Sequence, residues 1–314
     1  MPVGAAASAG PMPDTVTIAL WALNVGHLLA GLDDFVALVD QRMAEAAGQG
    51  ADLLMLPEYV SEHWLWFAPQ PLARPTELDW MAEQAEEVLS KLAPLPEQHG
   101  VALLAGAMPV HKRDHTAGGP RYRNRAHLLL PDGRMATQDK LCLLPVEANP
   151  DGYLLEPGKV TWIVTWQGLR LAIAVCLDIE LPALAARLVG KEIDLLLVPS
   201  MTEKLSGFQR VSGCARARAI ELMTTVCVVG CMGTAGHPNA RPSVGGAAAF
   251  LPCEESLGST GLAAEIPPAA AVDGPGPLLL ARDLPVRRIR ALRAAGAEAW
   301  PGPWPATHLS IEEI

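Results

Sequence analysis

The sequence predicts a mixed α/β fold in one domain, with helices outside the sheets. Apolar runs that are typical of buried strands alternate with amphipathic segments of helical period through most of the 314 residues. Two hairpin patterns interrupt this alternation, so we expect antiparallel as well as parallel strand neighbours. Half of the residues are hydrophobic, which is sufficient for a large buried core.

The amino-terminal half is predicted to form a βαβ unit, a long helix, a further strand and a hairpin. Gly48 and Gly50 follow the first helix and end it, whereas Pro94 and Pro96 must break or kink the end of the second helix. The turn of the hairpin is Pro131-Asp-Gly133. In chain order, the predicted elements are a strand over 15–23, a helix over 32–47, a strand over 51–56, a helix over 77–99, a strand over 101–107 and a hairpin over 125–140.

The carboxy-terminal half continues the pattern until about Leu257, where the chain becomes rich in Ala, Pro and Gly. Beyond that point only residues 286–294, a basic segment, have a helical pattern. We therefore divide the chain into a flexible tail over 1–14, a domain over 15–256 and an extension over 257–314, which is suited either to wrap a partner subunit or to stay disordered. The elements predicted before the extension are strands over 160–165 and 168–175, a helix over 181–190, a strand over 193–199, a helix over 207–223, and strands over 224–230 and 245–252.

The composition argues against several classes of function. The net charge is −10 and no basic stripe is present, so nucleic acid is not an expected partner. No stretch reaches the roughly 18 apolar residues that a membrane helix needs, and the first residues lack the basic start and apolar block of a signal peptide. The six cysteines form no Cys-x-x-Cys pair and no zinc-type spacing, so we expect no disulfide, no metal site and a cytoplasmic location.

Cys176 is the most informative residue of the chain. It ends the apolar run Leu171-Ala-Ile-Ala-Val-Cys176, and polar residues and Pro182 follow at once. In α/β proteins the carboxyl end of a buried strand opens onto a crevice, which is where a nucleophile is presented. Because a lone cysteine in an apolar strand is more often a core residue, the interpretation depends on what the other strand ends carry.

Two further strand ends carry a carboxylate and an amine. The carboxylate is that of Glu58, which ends the run Asp52-Leu-Leu-Met-Leu-Pro-Glu58. The amine is that of Lys140, which ends the run Ala136-Thr-Gln-Asp-Lys140. A free thiol has a pKa of about 8.5 and is only slightly ionised at neutral pH. We expect Lys140 to favour the thiolate of Cys176 by its opposite charge, and Glu58 to move the proton. Together these groups are the parts for acyl transfer through a thioester.

These motifs resemble those of the nitrilase superfamily, the carbon–nitrogen hydrolases. The matching pieces are Leu56-Pro-Glu58, Asp139-Lys140, Cys176-Leu-Asp178 with Pro182, and the helical segment over 214–221, and the resemblance extends over roughly residues 15–252. It implies a four-layer α-β-β-α sandwich with mixed sheets that pairs with a second copy into a homodimer or larger homo-oligomer. It also implies hydrolysis of carbon–nitrogen bonds in small amides, carbamoyl compounds or nitriles, without a metal or organic cofactor.

The same resemblance implies a catalytic role for each strand-end residue. Cys176 becomes the nucleophile, Glu58 the base and Lys140 the electrophilic support. When the tetrahedral oxyanion forms, the Lys140 ammonium and the backbone N–H of Leu177 are its expected donors. One donor of this kind is commonly worth about 3–4 kcal/mol of transition-state stabilisation.

The resemblance also implies a second glutamate after the lysine, which orients the substrate or holds the ammonium. Our prediction for it is Glu147, which lies seven residues past Lys140. Glu156, just before Pro157-Gly158, is the alternative, because residues 149–152 between the two glutamates have the composition of a loop insertion.

Three nearby residues are predicted to shape the site without reacting. Asp178 lies in the sharp turn after the nucleophile, where a carboxylate can bind backbone N–H groups. Trp64 follows Glu58 closely, and Met201 follows the strand over 193–199, so we predict that both line a pocket for a small, partly apolar acyl group. Packing of a lid or a dimer contact is the alternative for Trp64.

The residues after the nucleophile favour an amide as the substrate. Nitrile-cleaving members of the superfamily usually follow the cysteine with an aromatic residue and a glutamate, whereas this chain has Leu177 and Asp178. We therefore predict an amidase-like hydrolase that releases ammonia or an amine. Hydrolysis of N-carbamoyl compounds, hydrolysis of nitriles and acyl transfer to an amine stay open, as does a non-catalytic scaffold of the same fold.

Overall fold

The computed structural model describes residues 12–112, 114, 119–304 and 306–313. The predicted tail over 1–14 therefore lies mostly outside the described residues. Two six-stranded sheets face each other, and helices cover the outer face of each sheet. This arrangement is the predicted four-layer α-β-β-α sandwich, and both sheets are mixed.

The described elements follow one another as a nearly regular alternation. The strands are β1 (Val16–Trp21), β2 (Leu53–Met55), β3 (Ala102–His111), β4 (Tyr122–Leu129), β5 (Met135–Asp139), β6 (Val164–Trp166), β7 (Leu169–Ile173), β8 (Leu195–Ser200), β9 (Thr225–Gly230), β10 (Gly245–Phe250), β11 (Leu262–Ala269) and β12 (Leu278–Leu284). The helices are α1 (Leu32–Gly48), α2 (Arg74–Leu92), α3 (Leu95–His99), α4 (Pro145–Ala148), α5 (Pro182–Leu188), α6 (Leu205–Glu221) and α7 (Val286–Ala294). Within the described ranges, none of these helices is long and apolar enough to cross a membrane.

The strand order explains how the two sheets pack. The first sheet runs β12-β1-β2-β3-β4-β5 and the second runs β11-β10-β9-β8-β7-β6. Strands β1 to β3 are parallel, as are β7 to β9. Because side chains alternate along a strand, Ile18 and Leu20 of β1 face the second sheet, whereas Ala19 and Trp21 pack under α1 and α2.

Proline and glycine place the helix ends as the sequence predicts. The helical pattern over 77–99 is interrupted, since α2 ends at Leu92 and α3 begins at Leu95, with Pro94 between them. Proline has no N–H for the helical ladder and blocks the preceding turn. Gly100 then ends α3 in the left-handed region with a φ of 68°. The short α4 and a 3₁₀ helix over Val60–Phe67 are not predicted by the pattern.

Residues beyond 256 contribute a strand to each sheet. Strand β11 pairs with β10, and β12 pairs with β1, both antiparallel. The helix α7 coincides with the predicted basic segment, and its Arg290 pairs with the buried Asp194. The sheets therefore draw on residues that the sequence assigns to an extension, because the Pro- and Gly-rich composition conceals these strands. That the segment wraps a partner subunit stays a prediction.

Candidate active site

Four ionisable side chains from separate segments meet at the carboxyl ends of the strands. Glu58 follows β2, Lys140 follows β5, and Cys176 follows β7. The Lys140 Nζ lies 2.8 Å from Glu58 Oε1 and 2.9 Å from Glu147 Oε1. Glu58, Lys140 and Glu147 are each 1% exposed and Cys176 is 5% exposed. The structure thus brings together the four residues predicted to be catalytic, in a site almost closed to solvent.

The approach of Glu58 to the neighbouring strand requires a glycine. Glu58 forms an isolated bridge with Ala107 of β3, whose N–H donates to the carbonyl of Pro57 over 3.1 Å. Gly106, immediately before Ala107, has a φ of 78° and leaves no room for a side chain, since a Cβ there would lie 2.2 Å from the Pro57 oxygen. The irregularity of β3 at Gly106 therefore lets the loop after β2 lie directly on the sheet.

Each oxygen of the Glu58 carboxylate has its own donors. Oε1 accepts hydrogen bonds from Lys140 Nζ and from the side-chain amide of Asn124, both at 2.8 Å. Oε2 accepts a hydrogen bond of 3.0 Å from the backbone N–H of Met201. The thiol of Cys176 also lies close enough to this carboxylate that each influences the pKa of the other. Glu58 is therefore held at both oxygens and lies beside the Cys176 thiol.

Cys176 occupies a strained turn at the end of β7. It begins a 3₁₀ helix that runs to Glu180, and its φ of 49° lies in the left-handed region. For a residue other than glycine this conformation costs about 1–2 kcal/mol. In this conformation the thiol of Cys176 faces the end of β8, where it lies 3.5 Å from the carbonyl oxygen of Met201.

Asp178 connects this turn to the lysine segment. Its carboxylate is fully buried and accepts hydrogen bonds from the backbone N–H groups of Leu141, Cys142 and Val175, over 2.8–3.1 Å. Leu141 directly follows Lys140 and Val175 directly precedes Cys176. One carboxylate therefore fixes the chain on both sides of the site.

Glu147 is held by residues that the sequence pattern does not single out. The Tyr59 hydroxyl donates to Glu147 Oε1 over 2.8 Å, and the backbone N–H of Leu144 donates to Oε2 over 2.7 Å. The Arg241 guanidinium lies 4.8 Å from the centre of the Tyr59 ring and pairs with the buried Glu62. The one sequence signal for Tyr59 is its position directly after Glu58, the carboxylate that is predicted at a strand end.

The alternative second glutamate lies elsewhere. Glu156 forms ion pairs with Lys112, at 3.0 Å, and with Arg123 at the partly exposed edge of the first sheet.

Among the residues proposed for the pocket, Met201 contributes its backbone to Glu58 and Cys176. Trp64 is fully buried in the core between the first sheet and its helices, edge-on to Phe35.

Burial and charge keep the resting thiol protonated. Burial raises the pKa of Cys176, the negative charge of Glu58 raises it further, and Lys140 only partly opposes them. Burial also raises the pKa of Glu58 despite Lys140. Burial lowers the pKa of Lys140, but Glu58, Cys176 and Glu147 together raise it above its ordinary value, so Lys140 stays an ammonium. Lys140 lowers the pKa of Cys176, as we expect from the sequence, but burial and Glu58 raise it more, so the resting thiol stays protonated.

Comparison with known proteins gives a family match over most of the chain. The family model described as carbon-nitrogen hydrolase matches residues 17–257. The chain is 25% identical over 201 residues to "Probable hydrolase YhcX" of Bacillus subtilis, of which the match spans only 37%, against 64% of this chain. It is 26% identical over 262 residues to "Hydrolase Rv0480c" of Mycobacterium tuberculosis, covering 82% of this chain and 85% of the relative.

A solved structure shares the fold. An amidase from Nesterenkonia sp. superposes with a TM-score of 0.66 at 23% identity, over 91% of this chain and 97% of the amidase. Structures of that amidase and its variants are described with butyramide bound, and with the acetamide moiety of fluoroacetamide added covalently at the active-site cysteine. The likeness is one of fold, and the ligands belong to that amidase.

Proposed function

Because the chain belongs to the carbon–nitrogen hydrolase family, we propose that it hydrolyses a small primary amide through a thioester on Cys176 and releases ammonia. The observation that carries the proposal is the contact of one buried ammonium, Lys140, with two buried carboxylates beside a buried thiol. Such a cluster is costly for folding, since burying three charges needs nearly complete pairing. Perturbed ionisable groups at strand ends are typical of catalytic sites.

The first half of the reaction forms the thioester. Cys176 Sγ attacks the amide carbon while its proton passes to the Glu58 carboxylate, so that a neutral thiol becomes a nucleophile only as the bond forms. The oxyanion takes hydrogen bonds from Lys140 Nζ and from the backbone N–H of Leu177. When the carbon–nitrogen bond breaks, Glu58 returns the proton to the nitrogen and ammonia leaves.

The second half hydrolyses the thioester with the same groups. Glu58, again ionised, accepts a proton from water as the water oxygen attacks the acyl carbon. The tetrahedral intermediate collapses with cleavage of the carbon–sulfur bond, and the thiolate of Cys176 takes the proton back from Glu58. Glu147 holds the lysine through its 2.9 Å contact, so that Lys140 stays a donor in both halves.

A small aliphatic amide suits this site better than a nitrile or a bulky acyl group. The reacting side chains are at most 5% exposed, which favours a small acyl group. Leu177 and Asp178 follow the nucleophile in place of the aromatic residue and glutamate of nitrile-cleaving members. The structural neighbour is an amidase whose structures carry small amides, which supports the same substrate class here.

The test is release of ammonia from matched substrates. Acetamide, propionamide and butyramide are compared with propionitrile and an N-carbamoyl amino acid, for the wild type and for Cys176→Ala and Cys227→Ala. Cys227 is also fully buried but lies within β9, so its variant controls for loss of a core thiol. We expect ammonia from the aliphatic amides with wild type and Cys227→Ala only. Turnover by Cys176→Ala, or turnover of the nitrile or carbamoyl compound alone, would overturn the proposal.

A further inference from the structure

We propose that Asn124 is a positioning residue for the general base: its amide N–H holds Glu58 Oε1 beside Lys140, so that Oε2, whose hydrogen bond comes from the backbone N–H of Met201, exchanges the proton with Cys176 and water. The inference rests on the proposed function for the identity of the base. It concerns a residue in β4 that does not react. Its basis is the geometry of the carboxylate, the orientation of the amide and the charges that surround them.

Asn124 contacts two catalytic residues at once. Its side chain donates to Glu58 Oε1 over 2.8 Å, and its backbone carbonyl accepts the N–H of Lys140 over 2.9 Å. It is 1% exposed, whereas its neighbours Arg123 and Arg125 are partly exposed and pair with acidic residues at the sheet edge. Alternation along β4 therefore turns this one amide inward.

The unsatisfied atom of Asn124 indicates what the amide is for. An ionised carboxylate only accepts hydrogen bonds, so Nδ2 must face Glu58. The other side-chain atom, Oδ1, is then buried, and it finds no hydrogen-bond partner in the part of the chain that the structure describes. A buried acceptor without a donor costs about 1–3 kcal/mol. An apolar side chain would therefore pack at this position at lower cost than the amide, and what the amide adds is its hydrogen bond to Glu58.

Asn124 also acts on the ionisation of the base. The Lys140 ammonium, the Glu147 carboxylate and the Cys176 thiol face the Glu58 side chain, and the Cys231 thiol contacts its backbone carbonyl. Burial and the charge of Glu147 raise the pKa of Glu58, and Lys140 opposes them. A neutral N–H donor to the charged form adds to the effect of Lys140. Without Asn124, the pKa of Glu58 is expected to rise.

The test replaces the amide by a side chain of similar volume. Asn124→Leu removes both the donor and the unsatisfied oxygen, so its thermal stability should equal or exceed that of the wild type. The acid limb of kcat/KM for the best amide should move up by about one pH unit, and activity on the acid side should fall about tenfold. The control, His127→Leu, changes a buried residue on the opposite face of the same strand.

A substrate-free measurement separates this inference from the proposed function. The rate of alkylation of Cys176 by iodoacetamide, followed by mass spectrometry of its peptide, also depends on ionised Glu58. If the pH profile of this alkylation rate is shifted to higher pH in Asn124→Leu but not in His127→Leu, the inference is supported, even if the wild type releases no ammonia. An unshifted alkylation profile, or an unshifted kcat/KM limb in an active enzyme, would overturn it.

Discussion

The carboxylate of Asp178 accepts a hydrogen bond of 2.8 Å from the backbone N–H of Cys142. The same carboxylate also binds the N–H groups of Leu141 and Val175. Because these residues adjoin Lys140 and Cys176, one buried side chain connects the two segments that carry the ammonium and the thiol. The distance between the Lys140 ammonium and the Cys176 thiol therefore depends on Asp178, although the hydrogen bonds of Asp178 go to backbone N–H groups.

Asp178→Asn should lower kcat by about a hundredfold, because displacing catalytic groups by about 1 Å has an effect of this size. The amide presents one acceptor in place of two, and its NH₂ group faces backbone donors. Ammonia release and the alkylation rate of Cys176 would measure the loss. Asp132→Asn is the control, since Asp132 accepts a backbone N–H in an exposed hairpin turn. Equal activity of the two variants would contradict the connecting role.

Asp178 should also leave a signature in the pH dependence of stability. Burial raises its pKa to about 6 from 3.8, although the three N–H donors oppose this. Between these values the folded state binds more protons than the unfolded state, so its contribution to the free energy of unfolding falls as pH rises, by about 3 kcal/mol. Urea unfolding from pH 4 to 7 should show this decline in the wild type relative to Asp178→Asn. If the unfolding free energies of the two proteins changed with pH in parallel, the contribution of Asp178 would be excluded.

Lys140→Met should abolish activity and make stability strongly pH-dependent. Removal of the oxyanion donor is expected to lower kcat at least about a hundredfold. The carboxylates of Glu58 and Glu147 would then be buried without their cation, and loss of the Lys140 charge, which lowers the pKa of Glu58, would raise that pKa further in the folded state. The variant should therefore be more stable at pH 5 than at pH 8. Urea unfolding at both pH values tests this, with the surface variant Lys91→Met as the control. A loss of stability independent of pH would argue against it.

The sequence predicts the strands, and it draws attention to the candidate catalytic residues, because both have local signals. Apolar runs with a polar residue at the end are visible without a structure, as at Glu58 and Cys176. The residues that support them have no such signal. Asn124 lies before the hairpin strand that alternation predicts over 125–130, because the surrounding arginines conceal the start of β4. Its role depends on contact with a residue 66 positions away.

The ionisation state of the Cys176 thiol is a second property that the sequence does not reveal. From residue types alone, we expect Lys140 to favour the thiolate of Cys176, and its positive charge does lower the pKa of the thiol. The structure shows that this ammonium is also paired with two carboxylates, and that burial and the charge of Glu58 raise the pKa of Cys176 by more than Lys140 lowers it. Burial then decides the outcome. Burial is a property of the assembled sheets, and it could not be estimated from spacing.

Tyr59→Phe should reduce kcat about tenfold while leaving the fold intact. The phenol donates to the same Glu147 oxygen that contacts Lys140, and a hydrogen bond to a charged group is worth about 1.5–3 kcal/mol. Without the Tyr59 hydroxyl, the Glu147 carboxylate can shift, and the position of the Lys140 ammonium is then less well fixed. Steady-state kinetics would measure the effect. Tyr122→Phe is the matched control, because it also removes a phenol from a carboxylate, that of Asp79, outside the site. Similar kinetics for both variants would remove Tyr59 from the catalytic support.

Arg290→Ala should destabilise the protein without changing the activity of the folded molecules. Asp194 is fully buried, and Arg290 of α7 donates to it and to the carbonyl of Gly168. Breaking a buried ion pair typically costs about 3–5 kcal/mol. Here we expect about 2 kcal/mol, because Arg290 is 37% exposed and Arg293 remains 3.8 Å from Asp194.

The matched control for this substitution is Arg287→Ala on the same helix. Arg287 pairs with Asp14, and both side chains are more than half exposed, so this pair should contribute less than about 1 kcal/mol. Urea unfolding of the two variants gives the comparison, and kcat/KM per folded molecule should match the wild type in both. If Arg290→Ala were as stable as Arg287→Ala, the Arg290–Asp194 pair would not hold the carboxy-terminal helix. Its position on the second sheet would then rest on its apolar residues and on the hydrogen bonds of Arg293 to the carbonyls of Ile193 and Met223.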